Sequence, residues 1–317
     1  MQMKDVAGFA KKVRENIARV IVGKADIADL MLAALIAKGH VLLEDVPGTG
    51  KTVMARSLAK SIACDFSRIQ FTPDLMPSDI TGVSVFMPNK GEFEFKPGPV
   101  FTGILLADEI NRATPRTQAA LLECMEERQV TESGVSHPLP APFLVIATEN
   151  PVEIQGTFAL PEAQLDRFLM RLKMGYPTSE EAVEILGRFI ADDPMAELEA
   201  VAAKQELLEA QALLKGVTVS APILCYIAAL CEQTRKYEQV ILGVSPRGML
   251  ALMRAAQALA LVQGREYVTP DDVKALAVPV LAHRIVIRGM YGKADAAKNL
   301  IMEALKAVPV PTEDAAV

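Results

Sequence analysis

The stretch HVLLEDVPGTGKT (residues 40–52) reads as a strand, a tight turn and the start of a helix. It joins a short apolar run, HVLLE (40–44), to a helical pattern, TVMARSLAKSIA (52–63), through a turn that carries two glycines. A loop between a buried strand and a helix can aim several backbone N–H groups at a phosphate, and the helix N-terminus adds a dipole that favours negative charge. The spacing is that of the pattern G-x-x-x-x-G-K-[ST], ending on Gly50-Lys51-Thr52, with Asp45 where the first glycine usually stands. Aspartate tolerates left-handed backbone angles better than most residues, so the departure is expected to be mild. On this reading Gly48 and Gly50 let the backbone approach the phosphates, Lys51 reaches the β- and γ-phosphates, and Thr52 coordinates Mg2+.

Outward from this loop, short apolar runs alternate with helical patterns up to about Tyr176. SRIQF (67–71), GILLAD (103–108), PFLVIAT (142–148) and FLMRLKM (168–174) read as further buried strands, with helices at 52–63 and 115–127. That alternation predicts right-handed βαβ units and a mostly parallel sheet covered by helices. Two insertions interrupt it. VSVFMPNKGEFEFKPGPVF (83–101) and RQVTESGVSHPL (128–139) each set alternating runs about a turn, Asn-Lys-Gly and Ser-Gly, and read as hairpins. After Pro177 the apolar residues fall at helical spacing, with starts signalled by Ser-Pro and by Thr-Pro-Asp-Asp. The expected division is a core domain over 1–176, a helical domain over 177–306, and a flexible tail over 307–317.

Composition narrows the function classes. The 317 residues are 51% hydrophobic and 23% charged, enough for a substantial core in two domains. Tryptophan is absent, aromatics are 5%, and the formal net charge is -6, so base-stacking platforms and polyanion binding are disfavoured and a nucleic-acid partner is not expected. Cys64, Cys124, Cys225 and Cys231 lack metal-ligand spacing and read as free thiols. No signal-peptide pattern opens the chain, and its apolar runs are too short to span a bilayer, so a cytoplasmic location is expected. His40 and His283 read as structural, and the methionines as core filling.

A second chemical signal accompanies the loop. GILLAD ends on Asp108-Glu109, which sets a carboxylate pair at the C-terminal edge of the sheet, where open α/β sheets bind ligands. Asp108 would hold the Mg2+ shell, and Glu109 would polarise an attacking water.

Together, IVGK (21–24), EDVPGTGKT (44–52), LLADEINRA (105–113), ATENP (147–151), GTFALPEAQLDRF (156–168) and GVSPRGM (243–249) resemble the MoxR family of AAA+ ATPases. The resemblance runs in order from about residue 20 to residue 290. It implies an α/β fold: a P-loop AAA+ domain, a parallel sheet flanked by helices with hairpin insertions, followed by a small all-α lid. It also implies ATP and Mg2+ as ligands, with Val22, Gly23, Asp45, Pro47, Gly48, Thr49, Gly50, Lys51, Thr52, Val53 and Arg247 near the nucleotide. Asn150 resembles sensor 1, which orients the water near the γ-phosphate. Arg167 is the candidate arginine finger for a neighbouring subunit, with Arg112, Arg116 and Arg171 as rivals, and Arg247 resembles sensor 2, in cis or in trans. Such a guanidinium can be worth several orders of magnitude in rate.

A finger supplied by a neighbour requires assembly, and head-to-tail contacts close into rings. The resemblance implies a homo-oligomer, a hexameric ring, acting as a chaperone-like motor. Its work would be maturation of a client protein complex or metal-cofactor insertion, with a partner that carries a von Willebrand factor A domain. A metal-chelatase-like motor subunit, a DNA-remodelling or transcription-regulating AAA+ ATPase and a non-hydrolysing scaffold are the alternatives. A GTPase would want an N-K-x-D motif, and the sequence contains none.

Overall fold

The computed structural model describes residues 2–150, 156–190, 193–289 and 294–311. Two helices open the chain, α1 (Met3–Ala18) and α2 (Ala25–Ile36). The alternating region follows as β1 (Val41–Glu44), α3 (Lys51–Ser61), β2 (Phe66–Gln70), α4 (Pro77–Thr81), β3 (Gly82–Met87), β4 (Glu92–Pro97) and β5 (Ile104–Asp108). It continues with α5 (Pro115–Glu127), β6 (Gln129–Glu132), β7 (Val135–Pro138), β8 (Leu144–Glu149), α6 (Glu162–Leu165) and β9 (Met170–Leu172). The helical region holds α7 (Ser179–Arg188), α8 (Lys204–Leu213), α9 (Ala221–Thr234), β10 (Val240–Leu242), α10 (Pro246–Val262), α11 (Pro270–Leu281), β11 (Val286–Ile287) and α12 (Ala294–Ala307).

The main sheet is parallel throughout, in the order β2-β5-β8-β1-β9. Its central strands are apolar on both sides because helices cover both faces. Period-two alternation assigns the faces. Leu42, Leu105, Ala107, Val145 and Ala147 pack with Phe71, Leu121 and Phe168 on one side. Val41, Leu43, Ile104, Leu106, Leu144 and Ile146 join a larger cluster on the other. That cluster runs without a break through α1, α2 and α3 into the helical region, reaching Tyr226, Leu252, Leu276 and Leu300. The apolar run in α2, buried on nearly every side, is the floor on which α10 rests.

Both hairpins form, and their turns explain themselves. Ser133 and Gly134 are left-handed (φ 51° and 81°), as a two-residue hairpin turn demands, and Gly91 (φ 69°) serves the longer one. The hairpins also touch: Ser84 donates to the Glu132 carboxylate, and the Phe95 ring stacks on His137 at 4.0 Å. The helix-start signals hold as well. Ser245 Oγ accepts from Gly248 N, and Thr269 with Asp272 forms a reciprocal cap at α11. At the C-terminus, α12 extends through Ala307 and Val308 is buried, while residues 312–317 of the expected tail lie outside the described residues.

Candidate nucleotide site

The strand order brings three loops to one edge of the sheet: those after β1, β5 and β8. There, Pro47, Gly48, Gly50, Lys51, Thr52, Val53, Asp108, Glu109, Thr148 and Asn150 line a cleft of about 360 Å³. Gly48 and Gly50 are both left-handed (φ 84° and 86°), and Gly50 is the N-cap of α3, so the loop turns its backbone toward the helix start. A Cβ at Gly48 would meet nothing within 4 Å; its requirement is the backbone angle, not space.

Asp45 behaves differently from the expectation. It is not among the left-handed residues. Its carboxylate instead accepts from Val46 N at 2.8 Å and from Gly175 N at 2.6 Å, which ties the loop to the turn after β9. An aspartate serves here because it accepts two backbone N–H groups that a glycine would leave unanswered. Thr49 caps the turn from its own side, donating to Val46 O, and does not line the cleft.

Lys51 reaches along the loop and donates to the carbonyls of Asp45 (2.7 Å) and Val46 (3.0 Å). Burial lowers its pKa, against the pull of Asp45, Asp108 and Glu109. The two carboxylates are held separately. Asp108, 9% exposed, accepts from Thr148 Oγ1 at 2.6 Å through Oδ1 and from the Arg68 guanidinium at 2.7 and 3.1 Å through Oδ2. Glu109 stands in the left-handed region (φ 56°, ψ 51°), a conformation that persists in a non-glycine residue only where neighbours enforce it. Its backbone N–H donates to the same Thr148 Oγ1 at 2.8 Å, and its carboxylate meets Gln70 Nε2 at 2.7 Å and Arg112 Nε at 3.2 Å. Thr148 is thus one hydroxyl that sets both acids. Asn150 is buried at the end of β8 and faces the cleft.

Val22 and Gly23 are not in the cleft lining but adjoin it. Ile21 lies 3.7 Å from where a Gly50 Cβ would stand, and a Cβ on Gly23 would overlap the Glu181 carboxylate. Lys24 reaches Tyr176 O and lies 4.0 Å from Glu181, so this segment is stitched to the start of α7.

The two candidate transition-state arginines lie elsewhere. Arg167 and Arg247 line a second cavity, about 260 Å³, that shares no residue with the first. Both lean on Glu126 of α5: Arg167 Nε at 3.2 Å, and Arg247 Nη2 at 3.1 and 3.0 Å from the two oxygens. Among the rivals, Arg112 pairs with Glu109, Arg171 lies 3.8 Å from Glu44, and Arg116 is exposed in the first turn of α5. His40 is buried between Met125 O and Val145 N, its pKa lowered to about 3 by burial and Arg128, and buried His283 is held well below its usual range; both are structural.

Arg68, Gln70, Thr148, Glu126 and Arg284 carry contacts that the sequence does not single out. Arg68 and Gln70 give a faint signal, as polar residues two apart in an otherwise strand-like SRIQF, and Thr148 lies within ATENP with nothing to mark its role.

Residues 40–170 match the ATPase family associated with various cellular activities, and residues 232–304 match the AAA lid domain. YeaC of Bacillus subtilis is 51% identical over 99% of this chain and 98% of its own. Chaperone MoxR1 of Mycobacterium tuberculosis is 44% identical over 86% of this chain and 74% of its own. A crystal structure from Cytophaga hutchinsonii, provisionally assigned as an ATPase, superposes with a TM-score of 0.87 at 38% identity, over 97% of this chain and 96% of that one.

Proposed function

The chain belongs to the MoxR family of AAA+ ATPases, and from that premise we propose that it hydrolyses ATP to ADP and phosphate in a ring of its own copies and spends the turnover on remodelling a bound protein complex. The observation that carries this reading is a division of labour. Lys51, Thr52, Asp108, Glu109 and Asn150 share one cleft, while Arg167 and Arg247 sit together in another.

In the first cleft the left-handed glycines expose backbone N–H groups to the phosphates, and Lys51 exchanges its loop carbonyls for β- and γ-phosphate oxygens. The Thr52 hydroxyl and the Asp108 carboxylate are hard oxygen donors in the lining of one cleft, a set that suits Mg2+. Mg2+ held there would neutralise charge on the β- and γ-phosphates. Glu109, freed from Gln70 and Arg112, takes the proton from the attacking water, and Asn150 orients that water. Val22 and Gly23 lie against the adenine, beside the loop.

Arg167 and Arg247 complete the site in trans. Their shared contact with Glu126 supports this assignment, since both are parked on one face away from their own phosphate loop. Head-to-tail docking brings that face to the neighbour's nucleotide and closes a ring, six-membered by family resemblance. Residues 1–176 form the ATPase core and 177–306 the lid, ahead of the tail at 307–317, and the joined hairpins β3–β4 and β6–β7 grip the partner. A cytoplasmic setting and a partner with a von Willebrand factor A domain complete the proposal. Affinity capture with Glu109→Gln and ATP tests it: a trapped client complex supports the motor reading, and ATP-independent capture contradicts it.

A further inference from the structure

Arg284 lies in the turn after α11, 7% exposed, in the helical half of the molecule. Its guanidinium crosses to the loop that carries Arg167. Nε donates to Asp166 Oδ1 at 2.6 Å, and Nη2 donates to Asp166 O at 3.2 Å and to Phe168 O at 2.7 Å. Nη1 reaches Leu169 O at 3.3 Å and the carbonyl of Val280. One buried side chain therefore holds the residues on both sides of Arg167.

The crossing passes close to Gly248, the residue after Arg247: a Cβ there would stand 2.6 Å from Val244 Cγ1 and 3.0 Å from Arg284 Cδ, so the first turn of α10 packs tightly against the arginine. Arg247 Nε in turn lies 3.9 Å from Asp166 Oδ2. A simple buried ion pair would need one carboxylate; here the rigid fork also serves the backbone carbonyls of Asp166, Phe168 and Leu169, which fixes main-chain position as well as balancing charge.

We propose that Arg284 is the positioning residue for the trans-acting arginine: it ties the placement of Arg167 to the lid, so that lid movement in one subunit advances or withdraws the guanidinium offered to its neighbour. This rests on the trans assignment proposed above.

The test is subunit complementation, measured as ATP turnover in equal mixtures. Arg167→Ala and Lys51→Ala are each inactive alone. Mixed, Lys51→Ala protomers lend an intact finger to the intact phosphate loops of Arg167→Ala, and random assortment around a head-to-tail ring restores about a quarter of the interfaces. Arg284→Gln alone is expected to bind ATP normally and to lose about 10²-fold in kcat with KM unmoved, the penalty of a misplaced reacting group. Mixed with Lys51→Ala, it recovers as Arg167→Ala does. Arg284→Lys, which keeps the charge without the fork, stays impaired. If the Arg167→Ala mixture recovers and the Arg284→Gln mixture does not, or if Arg284→Gln alone is fully active, the proposal is overturned. If neither mixture recovers, the trans assignment itself falls and takes the proposal with it. Should Arg284→Gln not fold, Asp166→Ala removes the side-chain acceptor of Arg284 Nε and goes through the same mixtures; absence of recovery there overturns the proposal.

Discussion

Replacing Thr148 by valine preserves shape and removes one hydroxyl, and that hydroxyl holds both acids of the cleft. Thr148 is 1% exposed; it donates to Asp108 at 2.6 Å and accepts from Glu109 N at 2.8 Å. A hydrogen bond to a carboxylate contributes about 1.5–3 kcal/mol, and an orphaned buried N–H costs about 1–3 kcal/mol. The two overlap, so Thr148→Val is expected to lower unfolding free energy by about 3 kcal/mol, read as an earlier denaturant midpoint with an unchanged slope. Released from Thr148, the left-handed Glu109 backbone relaxes; with Glu109 as the proposed base, a displacement of its carboxylate on the order of 1 Å should cost about 10²-fold in kcat. ATP affinity should fall far less than kcat, because Lys51 and the loop glycines, which would hold the phosphates, keep their own contacts. Thr148→Ser, which restores the hydroxyl, recovers most of both losses. Steady-state phosphate release, fluorescent-nucleotide binding and urea unfolding on the three proteins provide the check. Full activity in Thr148→Val, or a loss confined to ATP affinity, refutes the role assigned to this contact.

Other perturbations follow from the same geometry. Asp45→Ala cuts the tie to Gly175 N and loosens the loop before ATP arrives, so the Kd for ATP should rise about tenfold, the equivalent of about 1.4 kcal/mol; titration of a fluorescent analogue measures it. Gly82→Ala sets a Cβ against the carbonyl of Lys96 in a left-handed position (φ 97°), so amide exchange should accelerate across 82–97 while ATP binding holds. Burial, then Glu44, raises the Glu149 pKa above 4.5. An acid with a raised folded pKa favours folding while protonated and loses that contribution as pH rises, so Glu149→Gln should gain stability over wild type as pH climbs from about 4 to the folded pKa, and hold that gain above it. Thermal melts across that range would show a widening gap; a constant gap would contradict the assignment.

Much of this was legible in the sequence, for physical reasons particular to each segment. β1, β5 and β8 announce themselves because strands buried on both faces must be apolar throughout, and the loop 45–52 because phosphate binding needs glycine at fixed positions. Both hairpins were visible in their turn residues. The contacts of Arg68, Gln70 and Thr148 with the acids were not, since they depend on the register that sets Gln70 beside Asp108. Asp45 misled: its type fits a left-handed turn, yet its carboxylate answers a backbone N–H 130 residues away, at Gly175. The lid's seat on α1 and α2 was equally hidden, because helical periodicity names a buried face without naming what covers it.

On the proposed mechanism, ATP bound beside Lys51 is split only when a second copy completes the site, and phosphate release per protomer, followed against protein concentration with sedimentation in parallel, reads this out. Specific activity should climb as rings form and vanish in Lys51→Ala and Glu109→Gln; a value that stays constant down to fully dissociated protomers would show that each protomer splits ATP alone.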